Sequence, residues 1–366
     1  MRSRSGKRLL RHSQNDTVKK PSPPFLPEEL IVEILVRLPV RLLLQYKCVC
    51  KTWKTLISDP QFAKSHVLSS NASLRLVSIV CGLGRIPIIS YPLKLPLEDT
   101  SKPQSITLVA RHWSRLRHIL GSCNGLICLY DHRLSKFRLW NPSINLKSSS
   151  SPTILCFHRK RILYCGFGYD RVNDTYKLLV VVQNKSNSKE TKTILYTFGE
   201  NSWTSVQNFP CGPPCDTYSG FGKFVSGSLN WIVNKDVIIS FDLGKETYGE
   251  MLLPQHHYDP VLYVLSNCIC VSFYHSKEKS WVMWMMKEYG VVESWTKLMI
   301  FPQDGRPLSK DALFISENGV LLLRNKNNSE LIVYNLNDNG DYCCRIFGAF
   351  GRDLHVYHES LVSPQW

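Results

Sequence analysis

The side chains best suited to chemistry in this sequence are its 13 cysteines and a run with two adjacent histidines. No Cys-x-x-Cys occurs, and no close cysteine pair is followed by a second pair at zinc-site spacing. The close pairs are Cys48/Cys50, Cys211/Cys215, Cys268/Cys270 and Cys343/Cys344. In His256-His257-Tyr258-Asp259 the two imidazoles would point to opposite sides of a strand. The sequence therefore predicts reduced thiols, no metal site and no cofactor.

Catalytic motifs are equally sparse. Gly166-Phe167-Gly168 lacks the third glycine and the following helix that a dinucleotide site needs. No Gly-x-Ser-x-Gly, Walker loop or His-Glu-x-x-His occurs. We therefore predict a protein that is not an enzyme and acts by binding other molecules.

The net charge of +16 is weak support for a nucleic-acid ligand. Much of it comes from residues 1–24, which hold seven basic residues and one acidic residue. This segment is predicted to be a disordered basic tail that could act as a nuclear-import signal. The remaining positive charge is spread along the chain, so we expect no specific nucleic-acid binding. One local candidate for such binding comprises Arg111, His112, Trp113, Arg115, Arg117 and His118.

The longest apolar stretch, residues 30–44, is interrupted by charges and a proline, so no membrane association is expected. With no secretory leader, the expected location is cytoplasmic, nuclear or both.

Residues 25–66 form the first element that could position a binding site, and we call this region the helical block. Pro27 suits the first position of a helix, and Leu30, Ile34 and Leu38 follow at helical spacing. Further apolar residues fill the remaining faces of this helix. Such a short block cannot bury every face internally, so one face must meet a partner or the downstream domain.

The helical block resembles an F-box over its whole length. The matching landmarks are Leu26-Pro27-x-Glu29-Leu30, Ile34, Leu38-Pro39, Leu43, Val49-Cys50-x-x-Trp53 and Ile57-Ser58-Asp59-Pro60-x-Phe62. The resemblance implies binding to a Skp-family adaptor and, through it, to a cullin. The implied adaptor-binding residues are Leu26, Pro27, Leu30, Ile34, Leu38, Pro39, Leu43, Val49 and Trp53.

Residues 71–366 contain a repeated strand signal. Six apolar-aromatic segments recur every 43 to 56 residues, with Tyr91, Trp140, Tyr196, Phe241, Trp284 and Tyr334 at their centres. Most are preceded by a hairpin signal around a glycine or asparagine turn. This period predicts the blades of a β-propeller, with a β-sandwich as the alternative fold. In either fold the aromatic residues belong to the core.

Several motifs in this region resemble the F-box-associated domain of plant F-box/kelch-repeat proteins. They are Gly121-Ser122-Cys123-Asn124-Gly125, Leu139-Trp140-Asn141-Pro142-Ser143, Gly166-Phe167-Gly168-Tyr169-Asp170 with Asp174-x-Tyr176-Lys177, Gly227-Ser228-Leu229-Asn230-Trp231 and Glu293-Ser294-Trp295-Thr296-Lys297-Leu298. The Gly-Gly doublet of regular kelch blades is absent. The overall prediction is an α+β multidomain protein: a small all-α F-box, then an all-β, propeller-like, divergent kelch-type domain.

The resemblance implies the substrate-recognition subunit of an SCF-type cullin–RING ubiquitin ligase, in which the second domain binds a protein target. A non-degradative adaptor-bound scaffold and a basic nucleic-acid-binding protein remain as alternatives. Four polar or Pro/Gly-rich segments are predicted to be variable target-binding loops that do not contribute to the core: 147–152, 183–192, 210–216 and 255–259. We also expect residues 71–366 alone to bind the target, and residues 1–70 to bind only the adaptor.

Overall fold

The fold is given by a computed structural model of the 366-residue chain. It describes residues 26–69, 73–79, 88–93, 106–108, 116–131, 134–153, 160–184, 190–212, 220–255, 260–275, 280–302, 310–325, 330–338, 342–346 and 353–365. The predicted basic tail, the run from His256 to Asp259 and most of the basic cluster near Trp113 lie outside these residues.

The helical block consists of four short helices. They are α1 (Glu28–Val36), α2 (Val40–Tyr46), α3 (Lys51–Ser58) and α4 (Pro60–Leu68). Local sequence sets their boundaries: Pro39 separates α1 from α2, and Asp59 caps α4 by accepting hydrogen bonds from the amides of Gln61 (2.6 Å) and Phe62 (3.3 Å). Pro60 occupies the first position of α4, where its missing N–H costs no hydrogen bond.

The rest of the described chain forms six antiparallel four-stranded sheets, which we call blades 1 to 6. Blade 1 contains β1 (Leu74–Ile79), β2 (Ile88–Pro92), β3 (Ile106–Leu108) and β24 (Asp353–His358). Blade 2 contains β4 (Leu116–Cys123), β5 (Leu126–Asp131), β6 (Lys136–Asn141) and β7 (Leu146–Lys147). Blade 3 contains β8 (Lys160–Asp170), β9 (Thr175–Asn184), β10 (Thr191–Thr197) and β11 (Ser202–Ser205). Blade 4 contains β12 (Lys223–Val225), β13 (Ser228–Val233), β14 (Val237–Asp242) and β15 (Thr247–Leu252). Blade 5 contains β16 (Val261–Leu265), β17 (Cys268–His275), β18 (Ser280–Met286) and β19 (Trp295–Pro302). Blade 6 contains β20 (Lys310–Ile315), β21 (Val320–Asn325), β22 (Glu330–Asn335) and β23 (Tyr342–Ile346). Two 3-10 turns lie at Val292–Ser294 and Leu336–Asp338.

The blades close into a ring. The first strands of blades 2 to 6 and strand β24 each contact their neighbours in turn, and β20 of blade 6 meets β24. Strand β24 comes from the C-terminal end of the chain yet pairs with β1, with Leu74 opposite His358. Blade 1 therefore joins the two ends of the domain, which confirms the propeller prediction and excludes the β-sandwich.

The six repeated segments are the third strands of the six blades: β2, β6, β10, β14, β18 and β22. The hairpin signals ahead of them are first and second strands. Trp140, Tyr196, Phe241 and Tyr334 are buried, as expected of core residues, whereas Trp284 is half-buried. The side chain of Tyr91 lies outside the described part of the chain.

Neighbouring blades pack through their inner strands. A Cβ atom on Gly168 of β8 would lie 2.3 Å from the ring of Phe224 and 2.8 Å from Leu243, both in or beside blade 4. Only glycine allows this close approach of β8 to the next blade. The glycines of the Gly-Phe-Gly motif therefore serve packing between blades.

The antiparallel order gives the propeller two distinct faces. The tight turns between first and second strands, and between third and fourth strands, lie on one side, which we call the turn face. The connections between second and third strands, and from one blade to the next, lie on the opposite side, the far face. The helical block packs on the turn face, where it contacts Ile144 in the β6–β7 turn and Asp174 in the β8–β9 turn.

Candidate protein-docking surfaces

The helical block exposes an apolar surface that its own core does not cover. Leu26, Leu30, Ile34 and Val49 expose 50, 46, 51 and 62% of their surface. Leu30 and Ile34 lie one helical turn apart on α1, and Leu26 precedes the helix. Clustered apolar exposure of this kind marks a site of protein interaction. We call these residues, with the exposed Pro27 and Pro39 and the half-buried Leu38 and Trp53, the adaptor surface.

One predicted adaptor-binding residue, Leu43, is not part of this surface. It is fully buried on α2 and belongs to the apolar core of the block together with Leu35, Ile57 and Phe62. A partner cannot reach Leu43 without unpacking that core. The prediction of a direct contact was therefore wrong, and Leu43 supports the surface from inside.

The turn between α2 and α3 holds Val49 and Trp53 in place. Cys50 caps α3 by accepting a hydrogen bond from the Trp53 amide at 3.4 Å, and the rings of Tyr46 and Trp53 pack with centroids 5.5 Å apart. Cys48 and Cys50 are exposed beside Val49. Cys48 lies in an apolar run of the sequence, but this turn exposes it, so it is not a core residue as Cys128 and Cys165 are.

A basic strip borders the adaptor surface. Arg41, Lys51 and Lys54 are exposed, and no acidic residue occurs between positions 41 and 58. Burial lowers the pKa of Lys47, and the nearby charge of Lys54 lowers it further. The surface therefore suits a partner whose contact face is apolar with acidic side chains at its edge.

The helical block is fastened to the propeller. Its core includes Leu361 from the C-terminal segment, and Ile144 and Val362 pack at its edge. Lys64 of α4 forms an ion pair with Asp174, which also accepts a hydrogen bond from Tyr169. The core of the helical block is therefore completed by Leu361 from the C-terminal segment. The expected division of binding between residues 1–70 and residues 71–366 stays a prediction.

The Leu-Trp-Asn-Pro-Ser motif binds that C-terminal segment. Asn141 is fully buried and donates hydrogen bonds to the carbonyl (3.0 Å) and hydroxyl (3.1 Å) of Ser360 and to the carbonyl of Val362 (2.8 Å). Sequence reasoning missed this role. The apolar pair Leu361-Val362, two residues after the end of β24, is the signal that could have revealed it.

The Gly-Tyr-Asp and Asp-x-Tyr-Lys motifs form an ionic link between blades 3 and 4. The Lys177 ammonium lies 2.9 Å from Asp170 Oδ2, 2.8 Å from Glu246 Oε1 and 2.9 Å from the Leu243 carbonyl. Burial raises the pKa of Asp170, but hydrogen bonds from Asn173 and Lys177 outweigh it, and the net pKa is lowered. Burial likewise lowers the pKa of Lys177, and its two carboxylate partners raise it overall.

Two later motifs link blades in the same way. Asn230 is buried and accepts a hydrogen bond of 2.9 Å from the Tyr289 hydroxyl of blade 5. Trp295 of blade 5 donates its indole N–H to the Leu252 carbonyl of blade 4 at 3.2 Å. These motif residues therefore hold neighbouring blades together.

All four predicted target loops join strands whose ends lie on the far face, away from the helical block. Segment 147–152 is nevertheless not a free loop. Ser148 and Ser151 are buried, and their hydroxyls accept hydrogen bonds of 2.9 Å from the amides of Leu139 and Phe137. Their side chains thus continue the pairing of β6 beyond β7, so the prediction that this segment lies apart from the core was wrong.

The other three loops are only partly described. Residues 185–189, 213–216 and 256–259 lie outside the described part of the chain. Of their described ends, Gly212 accepts a hydrogen bond of 2.8 Å from the Tyr164 hydroxyl.

Two buried thiols of the propeller are poor nucleophiles. Burial raises the pKa of Cys123 and Cys165 to about 12, so both stay protonated at neutral pH. Among the described residues, no group of three or more His, Cys, Asp and Glu side chains could hold a metal ion. No described helix is long and apolar enough to cross a membrane.

Two known protein families match this chain, one over the propeller and the other over the helical block. The F-box associated beta propeller domain family matches residues 90–364, and the F-box-like family matches residues 24–69. The chain is an F-box protein with an F-box-associated propeller. This plant F-box protein is 32% identical to the F-box/kelch-repeat protein At3g23880 of Arabidopsis thaliana over 94% of its own length and 97% of the relative.

A further relative of this F-box protein is the F-box protein CPR1 of Arabidopsis thaliana, 25% identical over 85% of the chain and 82% of the relative. Among solved structures, TolB from Acinetobacter baumannii superposes with a TM-score of 0.49 at 9% identity, over 78% of this chain and 67% of that one.

Proposed function

We propose that this F-box protein is the substrate-recognition subunit of an SCF-type cullin–RING ubiquitin ligase. The exposed apolar residues of the helical block carry this proposal. Leu26, Leu30 and Ile34 stay half-exposed although the block packs on the propeller, so a further partner is needed to cover them. A Skp-family adaptor, and through it a cullin, is the partner that an F-box implies.

The second binding function belongs to the far face of the propeller. Its connections join strand ends on the side opposite the helical block, so a bound target would not compete with the adaptor for space. The motif residues on the turn face already bind neighbouring blades and the C-terminal segment. This separation suits a receptor that binds a target on the far face while the helical block binds the rest of the ligase.

The receptor itself performs no chemistry in this proposal. It increases the rate of ubiquitin transfer by holding a target lysine near the conjugating enzyme, which raises the effective concentration of the two reactants. The work can take place in the cytoplasm or the nucleus, and the basic residues of segment 1–24 suit a nuclear-import signal.

The test isolates proteins bound to the full chain in plant cells while cullin activity is blocked. A Leu26→Ala/Pro27→Ala variant should capture the same proteins, because both residues lie on the turn-face side. Adding adaptor, cullin, RING subunit and conjugating enzyme should modify those proteins with ubiquitin only on the wild-type receptor. Captured proteins that stay unmodified on the wild type would instead favour a non-degradative scaffold. Nucleic acid recovered in place of protein would favour the nucleic-acid reading.

A further inference from the structure

The C-terminal segment 359–365 lies between the helical block and the propeller. It leaves β24 on the turn face and passes the β4–β5 turn and the β6–β7 turn of blade 2. Ser360 is fully buried and Leu361 nearly so. We call this segment the C-terminal clasp.

The propeller side of the clasp is held by hydrogen bonds. The Asn141 side-chain amide donates to the clasp at Ser360 and Val362, and the amide of Ser360 donates to the Ser143 hydroxyl at 3.2 Å. Asn141 is itself oriented by the amide of Ser143, which donates to its side-chain oxygen at 2.8 Å. A buried amide with several partners is a strong positional restraint, because leaving any of its groups unpaired is costly.

Close packing completes this half of the contact. A Cβ atom on Gly125 would lie 2.2 Å from the Ser360 hydroxyl oxygen, so Ser360 fits only because position 125 is glycine. Gly125 also has a φ of +78°, a conformation that glycine adopts without strain. The turn between β4 and β5 is thus shaped for the clasp as well as for its own hairpin.

The helical-block side of the clasp is apolar. Leu361 belongs to the same buried core as Leu35, Leu43 and Phe62. Val362 packs at the edge of this core and also against the core shared by blades 2 and 3. The clasp therefore contributes side chains to both cores at once.

We infer that the C-terminal clasp fixes the orientation of the adaptor surface relative to the target-binding face. The inference rests on the proposed function, since the orientation matters only if both faces bind partners. Ubiquitin transfer depends on holding a target near a distant reactive centre, so angular freedom at this junction would lower the effective concentration. The clasp residues are thus positioning residues, which act on transfer without touching adaptor or target.

The experiment compares three full-length variants with the wild type by hydrogen–deuterium exchange of α1 and α4 peptides. Asn141→Ala removes the hydrogen bonds that the Asn141 side chain donates to Ser360 and Val362, without altering the core of the helical block, and Leu361→Asp places a charge in that core. Ser363→Asp is the matched control, because it adds the same charge at an exposed position of the clasp. Asn141→Ala and Leu361→Asp should accelerate exchange in both peptides at least tenfold, and Ser363→Asp should not.

Titration with a recombinant Skp-family adaptor separates this inference from the proposed function. Asn141→Ala should keep the adaptor affinity of the wild type within about threefold, while small-angle scattering shows a wider distribution of shapes. Unchanged exchange and scattering in Asn141→Ala would overturn the role of the clasp, even if the adaptor binds. Failure of the wild type to bind adaptor would instead refute the proposed function and leave the exchange result intact.

Discussion

Replacing Lys177 with methionine should destabilise the propeller markedly. The ammonium bridges Asp170 of blade 3 and Glu246 of blade 4, and the Asp170 side chain is fully buried. Asp170 keeps hydrogen bonds from the side chain of Asn173 and from two backbone amides, so part of its charge stays compensated. Removing one partner of a buried ion pair costs about 3–5 kcal/mol, and the lower end applies here. For a domain the size of residues 71–366, a loss of about 3 kcal/mol lowers Tm by roughly 5 °C.

The assay is thermal unfolding of the full-length chain followed by near-UV circular dichroism. Lys245→Met is the matched control, because Lys245 is exposed in the same turn as Glu246 and should leave Tm unchanged. Combining Lys177→Met with Asp170→Asn should restore part of the loss, since the buried charge disappears as well. A Tm for Lys177→Met within 1 °C of the wild type, on the order of 0.5 kcal/mol, would refute the link between blades.

The effect of Lys177→Met should also depend on pH in a defined direction. The pKa of Asp170 is lowered in the folded protein, so its ionised form stabilises the fold above the pKa of an unfolded aspartate. That contribution is lost as pH falls through the lowered folded pKa. The Tm difference between wild type and Lys177→Met should therefore be constant from neutral pH to about pH 5 and shrink only at more acidic pH.

Three further predictions test other parts of the account. N-ethylmaleimide should modify the exposed Cys48 and Cys50 in the free chain, and bound adaptor should protect both; equal labelling with adaptor present would contradict the assigned surface. Ser151→Ala should lower Tm by roughly 2–3 °C in a melting curve, because a buried β6 amide loses its acceptor at a cost of about 1–2 kcal/mol, whereas the exposed Ser149→Ala should have no effect. Binding to mixed-sequence DNA should fall steeply with salt and vanish on deletion of residues 1–24; selective binding by the shortened chain would point to a nucleic-acid function.

The repeat of the propeller could be predicted from sequence because each third strand carries its own local signal. Nearly continuous apolar runs, such as those around Trp140 or Phe241, indicate a strand that is largely buried on both faces. Each of the six segments lies in a different one of the six blades. Closure of the ring by β24 was not predictable in this way, because its pairing with β1 joins residues from opposite ends of the chain.

The helical block shows a different limit of sequence reasoning. Its first helix is apolar on nearly every face, so periodicity alone cannot tell which face points inward. The structure buries Leu35 and exposes Leu30 and Ile34, although all three have similar side chains. The burial of Leu43 and the contribution of Leu361 depend on contacts between distant segments, which a local pattern does not record.

The prediction that segment 147–152 does not contribute to the core failed for a chemical reason. Serine runs are typical of exposed connections, and nothing in the run marks Ser148 and Ser151 as buried. Their hydroxyls accept hydrogen bonds from backbone amides of β6. In a longer fourth strand, backbone carbonyls would accept these hydrogen bonds instead. A polar residue can thus extend a sheet when it supplies the missing acceptor.

The central claim is tested most directly by the affinity of the full-length chain for a recombinant Skp-family adaptor, measured by isothermal titration calorimetry. Leu30→Asp/Ile34→Asp should weaken binding by about 100-fold or more, because each charge replaces an exposed apolar contact at a cost of at least about 1.4 kcal/mol. Leu68→Asp, which changes an even more exposed leucine at the end of α4, should bind like the wild type. Wild-type affinity in a folded Leu30→Asp/Ile34→Asp variant would contradict the account.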